Sequence, residues 1–77
     1  MYNVEIRKNL CNANTAKNIE RKQDCLENCL MFATYEIYES GLLSAGSRLL
    51  IMGANVVAKR NNLSSLCNNF IEVLNYK

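Results

Sequence analysis

The sequence predicts an all-α fold: a long antiparallel helical hairpin with a short N-terminal arm or helix, in one domain over residues 1–77. Three observations predict it. The chain has no proline, which favours long uninterrupted helices. Apolar residues recur at helical spacing in two long segments, about 14–39 and 42–75. Between them lies Ser40–Gly41, and glycine tolerates the left-handed conformation that often ends a helix.

The first main helix is expected to begin near Asn14 or Thr15, because either side chain can cap the free N–H groups of a first turn. Its apolar positions are Ile19, Leu26, Leu30, Ala33 and Ile37. Glu36 and Glu39 near its end do not suit the helix dipole.

Residues 1–13 are ambiguous, because Val4 and Ile6 alternate with polar residues but no second strand is available to pair with them. We expect a short helical turn or a loose arm there, which packs Val4, Ile6 and Leu10 onto the hairpin.

The second main helix carries a heptad repeat without a slip. Two positions of this heptad form its main apolar stripe, which we call the seam. The first position holds Leu42, Leu49, Val56, Leu63 and Phe70, and the second holds Ala45, Met52, Lys59, Leu66 and Val73. This seam is expected to face the first helix. The regularity favours one continuous helix, and a bend at Gly53 or at Asn61–Asn62 is the alternative.

The apolar face of this helix extends beyond the seam, to about half of the circumference. The extra row contains Leu43, Leu50, Val57 and Ile71, and Gly46 and Gly53 lie between that row and the seam. One antiparallel neighbour covers only one stripe, so these six residues are the predicted partner-binding face. The partner is either a second copy, which completes a helical bundle as a homodimer, or an amphipathic helix of another protein.

Basic side chains supply the predicted specificity. Lys59 and Arg60 fall on the apolar face, where charges penalise wrong partners and registers. The alternative function is a homodimeric regulator that binds RNA or DNA through Arg48, Lys59 and Arg60. The net charge of +2 does not favour that alternative, since nucleic-acid binding usually leaves a strongly basic footprint.

Composition argues against catalysis and against cofactors. The chain has no histidine, hence no imidazole base or metal ligand, and its serines have no base beside them. The four cysteines include only one close pair, Cys25 and Cys29, so neither a metal site nor a cofactor is expected. Cys25 and Cys29 are expected to be packing thiols, and a Cys11–Cys67 disulfide is the alternative role for the other two cysteines.

No secretory signal and no membrane-spanning segment is recognised, and the expected location is cytoplasmic. The stretch from Leu42 to Ala58 is the most apolar, and Arg48 and Asn55 interrupt it.

In size and layout, residues 14–77 resemble two groups of small helical proteins. One is the co-chaperones of type III secretion needle subunits, a resemblance that implies a helical client on the row of Leu43, Leu50, Val57 and Ile71. The other is the helical-hairpin regulators of plasmid copy number, which implies basic groups on an exposed outer face. Lys59 and Arg60 do not fall on such a face. We therefore favour a protein-binding role of the adaptor, co-chaperone or inhibitor type.

Overall fold

The computed structural model describes residues 2–76. Over that range the chain forms helices and no strand, which confirms the all-α prediction. The helices are α1 (Asn3–Thr15), α2 (Ile19–Ser40), α3 (Ala45–Arg60) and α4 (Ser64–Leu74). α1 packs closely on α2, and α3 packs closely on α4, so the fold is built from helical hairpins.

The N-terminal segment is a full helix of 13 residues rather than a single turn or an arm. Ile6 and Ala13 are buried and Leu10 packs against the core, so an i, i+4, i+7 stripe attaches α1 to the other helices. Val4, which we expected to pack as well, is 71% exposed. The predicted packing is therefore correct for Ile6 and Leu10 and wrong for Val4.

α2 begins four residues later than the sequence suggested, because Asn14 and Thr15 belong to α1. Its cap is Asn18, whose Oδ1 accepts the N–H groups of Glu20 at 2.7 Å and Arg21 at 3.4 Å. The predicted stop at Ser40–Gly41 is confirmed, since Gly41 has a φ of +87° and donates its N–H to Ile37 O at 2.7 Å.

The predicted continuous helix over 42–75 is wrong, and the alternative break at Asn61–Asn62 is the one observed. Asn62 adopts a left-handed φ of +59°. The following N–H, of Leu63, returns to Ala58 O at 3.0 Å, and the Asn62 N–H bonds Lys59 O at 3.2 Å. This pair of bonds is the Schellman motif that ends helices, and asparagine is the residue after glycine that best tolerates its conformation. The chain therefore turns back and α4 packs on α3.

Specific contacts fix the direction of each helix. α1 and α2 are antiparallel, since Asn28 Nδ2 donates to Asn9 Oδ1 at 3.1 Å and the Tyr2 hydroxyl donates to Glu39 at 2.6 Å. α1 and α3 are parallel, because Asn3 lies at Gly46 and Leu10 lies at Gly53.

The core lies where the helices meet. Its buried apolar members are Ile6, Ala13, Leu26, Cys29, Ala33, Leu43, Ile51, Ala54, Val57, Ala58, Leu66 and Phe70. Because every helix contributes to this set, α1 is a structural part of the domain.

Candidate protein-binding face

The predicted partner-binding row of Leu43, Leu50, Val57 and Ile71 lies largely inside the molecule. Leu43 and Val57 are buried in the core, and Leu50 is half-buried against it. Ile71 alone of that row is exposed, on α4. The prediction placed the open face on this row because it counted only two helices, whereas α1 covers it.

The two glycines do permit a close helix approach, but the helix is α1 of the same chain. A Cβ atom at Gly46 would lie 2.8 Å from Asn3 Nδ2, and one at Gly53 would lie 3.2 Å from Leu10 Cδ2. A methyl group at either position would require α1 or its side chains to shift. Gly46 and Gly53 thus belong to the α1–α3 contact.

The face that stays open is the one predicted to be the internal seam. We call Ala45, Leu49, Met52 and Val56 the outer face of α3. Leu49 is 68% exposed, Met52 49% and Val56 48%, and Ala45 is exposed beside them. Leu42, just before the helix, is exposed as well. These residues keep the i, i+4, i+7, i+11 spacing of one helical stripe, so their apolar surfaces are contiguous along α3.

Packing on three sides of α3 explains which face stays open. α1 lies against Gly46 and Gly53, while α4 approaches from the other side, where Cys67 Sγ is 4.0 Å from Asn55 O. α2 packs on the third side, where the Ser47 hydroxyl of α3 donates to the Glu36 carboxylate of α2. The outer face of α3 is the remaining arc, between α1 and α4.

The basic residues do not form one patch. Lys59 and Arg60 are exposed in the last turn of α3. Arg48, in the first turn, is half-buried and its Nη1 donates to Leu74 O at 2.6 Å, which satisfies a carbonyl at the end of α4. α3 contains no acidic residue, so its exposed apolar face carries cations at one end only.

An open groove of about 300 Å³ borders the outer face on the α4 side. Its lining residues are Asn55, Lys59, Asn62, Leu63, Ser64, Cys67, Asn68 and Ile71. Asn55 Oδ1 is buried there without a hydrogen-bond partner. The groove widens the surface that a docked helix can contact.

A buried polar cluster joins α1, α2 and α3 at the N-terminal end of α3. The Glu36 carboxylate is fully buried and accepts the Ser44 N–H and the Ser47 hydroxyl, both at 2.7 Å. Ser47 Oγ also contacts Asn3 Oδ1. Burial raises the pKa of Glu36, but the hydrogen bonds from Ser44 and Ser47 outweigh it and hold that pKa below its usual value. Sequence reasoning missed this role, because the partner of Glu36 is the start of another helix.

The four cysteines are free thiols. Cys11 lies on α1 and Cys67 on α4, and no Cα atom of α1 is within 8 Å of one in α4. A disulfide needs Cα atoms closer than about 7 Å, so the alternative Cys11–Cys67 bridge is wrong. Burial, with a smaller effect of nearby Cys25, raises the pKa of Cys29 to about 12, which leaves its thiol protonated and unreactive at neutral pH.

The tyrosines near the α2–α3 connection differ in their surroundings. Tyr38 is almost fully exposed, whereas Tyr35 is partly covered, with its ring centroid 5.9 Å from that of Tyr2 and 6.2 Å from that of Phe32. Tyr38 is therefore the one of the two that is free to contribute apolar area to an interface at this end.

The fold and this surface define a class: a small all-α protein of paired helical hairpins with an exposed apolar stripe on one helix. Comparisons with family models, curated proteins and solved structures gave no match. Among residues 2–76, no helix is long and apolar enough to cross a membrane.

Proposed function

We propose that this chain is a non-enzymatic protein-binding domain, of the adaptor, co-chaperone or inhibitor type, and that it binds a helix through the outer face of α3. The observation that carries the proposal is the contiguous exposure of Leu49, Met52 and Val56 along one helical stripe. Contiguous apolar surface on a folded domain marks interaction sites, whereas apolar residues scattered singly do not.

Helical spacing indicates the form of the partner. Side chains at i, i+3, i+4 and i+7 are the anchors of a helix-on-helix contact. Met52 follows Leu49 by three residues and Val56 follows Met52 by four, so the stripe has this spacing. The exposed Lys59 and Arg60 at one end of the stripe favour a partner with acidic groups at the matching end. RNA or DNA binding through Arg48, Lys59 and Arg60 stays the alternative function. The guanidinium of Arg48 already donates a hydrogen bond to Leu74 O, which does not favour that alternative.

Leu49→Glu is expected to weaken binding strongly while leaving the fold intact. Leu49 is mostly exposed and glutamate is a good helix former, so the free energy of unfolding is expected to change by less than about 0.5 kcal/mol. A charge in the centre of an apolar interface must be desolvated without a partner, which raises the dissociation constant by about tenfold or more. The measurement is affinity purification of the tagged chain from the cells that produce it.

The matched control is Ile19→Glu, which introduces the same side chain at an exposed apolar position in the first turn of α2. Proteins retained by the wild type and by Ile19→Glu, but lost with Leu49→Glu, are the expected result. Equal retention by all three would contradict the proposed use of α3. Retention that depends on added nucleic acid and falls steeply with salt would favour the alternative function.

A further inference from the structure

One side of α2 points away from the core and is exposed along the length of the helix. Cys29, Ala33 and Glu36 are buried on the opposite side of α2. The exposed side carries a stripe whose members follow one another at three or four residues, so they lie on one helix face. We call this stripe the outer face of α2: Glu20, Asp24, Glu27, Met31, Tyr35 and Tyr38.

The second half of the outer face of α2 is apolar. Met31, Tyr35 and Tyr38 are all exposed, at the i, i+4 and i+7 positions from which one helix anchors another. A groove borders the face on each side. Met31 lines the α1–α2 groove, and a groove of about 210 Å³ separates α2 from α4. The surface is therefore wide enough to contact a docked helix on both of its flanks.

The acidic residues of the chain are concentrated around this face. The chain has seven, and none of them is in α3. Five are on α2, and the other two line the grooves on its two sides. In chain order the seven are Glu5, Glu20, Asp24, Glu27, Glu36, Glu39 and Glu72.

Few cations compensate these carboxylates. α2 has no basic residue after Lys22, and α4 has none. Lys8 shares the α1–α2 groove with Glu5, whereas Arg7 lies on the opposite side of α1, because residues two apart do not share a helix face. Among exposed groups, residues 23–40 of α2 and the two grooves therefore hold five carboxylates and one ammonium group, an excess of four negative charges.

The start of α2 has a different balance. Arg21 lies beside Glu20 and Asp24, and Lys22 Nζ donates to Ala13 O. With the charges of Glu20, Arg21 and Lys22 included, the excess falls from four negative charges to three. The face as a whole is therefore acidic, in a chain whose net charge is +2.

We propose that the outer face of α2 is a second docking surface and that it binds a basic amphipathic helix of another protein. The apolar side of that helix packs on Met31, Tyr35 and Tyr38. Its lysine or arginine side chains pair with Asp24 and Glu27, and they also bind the faces of the exposed tyrosine rings. Because this face points away from the side of α2 that contacts α3, the chain can hold this helix and one on α3 together.

An NMR titration of the isotope-labelled full chain tests the proposal. The probe is a synthetic helix of leucine and lysine, with leucine on one face and lysine on the other. We expect the amide signals of the outer face of α2 to shift, with an affinity that falls as salt is added. A cationic peptide is repelled by the net charge of +2, so binding requires the local acidic excess. A peptide with glutamate in place of each lysine is expected to leave these signals unchanged.

A matched pair of double variants tests the role of the carboxylates. Asp24→Asn combined with Glu27→Gln is expected to raise the dissociation constant of the lysine peptide about tenfold, the size expected for two exposed ion pairs. Asn68→Lys combined with Asn75→Lys adds the same charge to α4, where Asn68 lines the α3–α4 groove. This control is expected to raise the constant less than about threefold, through net charge alone. Circular dichroism confirms that each variant is folded.

Several results would overturn the inference. They are unchanged α2 signals at the highest concentration of the lysine peptide, equal effects of the two double variants, and equal binding of the glutamate peptide to this face. Shifts along α2 that appear when the chain is concentrated without peptide would identify a second copy as the occupant and would also overturn it. Binding to α3 is tested separately, by the comparison of Leu49→Glu with Ile19→Glu.

Discussion

Ile6→Ala is expected to lower the free energy of unfolding by about 2–5 kcal/mol. Ile6 is fully buried in α1, and its carbonyl accepts the Cys29 thiol of α2 at 3.6 Å. Truncation removes apolar contacts from the centre of the domain and leaves a cavity. Because small domains are stable by only about 5–15 kcal/mol, a loss of this size is a large part of the total. Urea unfolding followed by circular dichroism measures it.

Val4→Ala is the matched control for that substitution. It shortens a β-branched side chain on the same helix, but at an exposed position, so its effect is expected to stay within about 0.5 kcal/mol. Comparable losses for the two variants would contradict the assignment of Ile6 to the core. A negligible loss for both would mean that residues 3–15 are a loose arm and not a packed helix.

Glu36→Gln is expected to lower the free energy of unfolding by about 1–3 kcal/mol at neutral pH. The amide keeps the shape of the side chain, but its nitrogen cannot accept a hydrogen bond. The Ser44 N–H then bonds an uncharged amide oxygen, and the Ser47 hydroxyl has Asn3 Oδ1 as its remaining acceptor, so the charge-assisted hydrogen bonds to the carboxylate are lost. Glu39→Gln is the control, because Glu39 is exposed and its carboxylate accepts a hydrogen bond from the Tyr2 hydroxyl at the surface.

The effect of Glu36→Gln should depend on pH. The pKa of Glu36 is lowered in the folded state, so its stabilising contribution is complete above the unfolded pKa of about 4.3. That contribution is lost as the pH falls through the folded pKa, because the carboxyl must then bind a proton in the native state. The stability difference between wild type and variant is expected to be constant near neutrality and to close below about pH 4. A difference that stays unchanged down to strong acid would contradict a buried carboxylate.

Local signals in the sequence were sufficient for some elements. Gly41 ends α2 as predicted, since only glycine takes a φ of +87° at no steric cost. The Asn61–Asn62 pair was recognised as a possible break, but the heptad register ran through it and favoured a continuous helix. The apolar positions of α4 continue that register, so periodicity alone cannot distinguish one helix from two.

The location of the open face depended on tertiary contacts. α3 is apolar on both its inner row and its outer face, so its own sequence does not determine which side α1 covers. The spacing of Ile6, Leu10 and Ala13 was the available signal for a helix in residues 1–13, and counting that helix would have shown that the row of Leu43, Leu50 and Val57 is covered. Glu36 shows the same limit, because its partners Ser44 and Ser47 are defined only once α2 and α3 pack together.

The most direct test of the open outer face of α3 is the rate of methionine oxidation in the unmodified protein. Met52 lies on the outer face of α3, whereas Met31 lies on α2 and lines the α1–α2 groove, and both are partly exposed. Peroxide oxidises an accessible thioether to the sulfoxide, and mass spectrometry measures each site separately. We expect both thioethers to react, and Met52 at least as fast as Met31, because Met52 is 49% exposed and Met31 is 38% exposed. A Met52 that resists peroxide under conditions that oxidise Met31 would contradict an open outer face of α3.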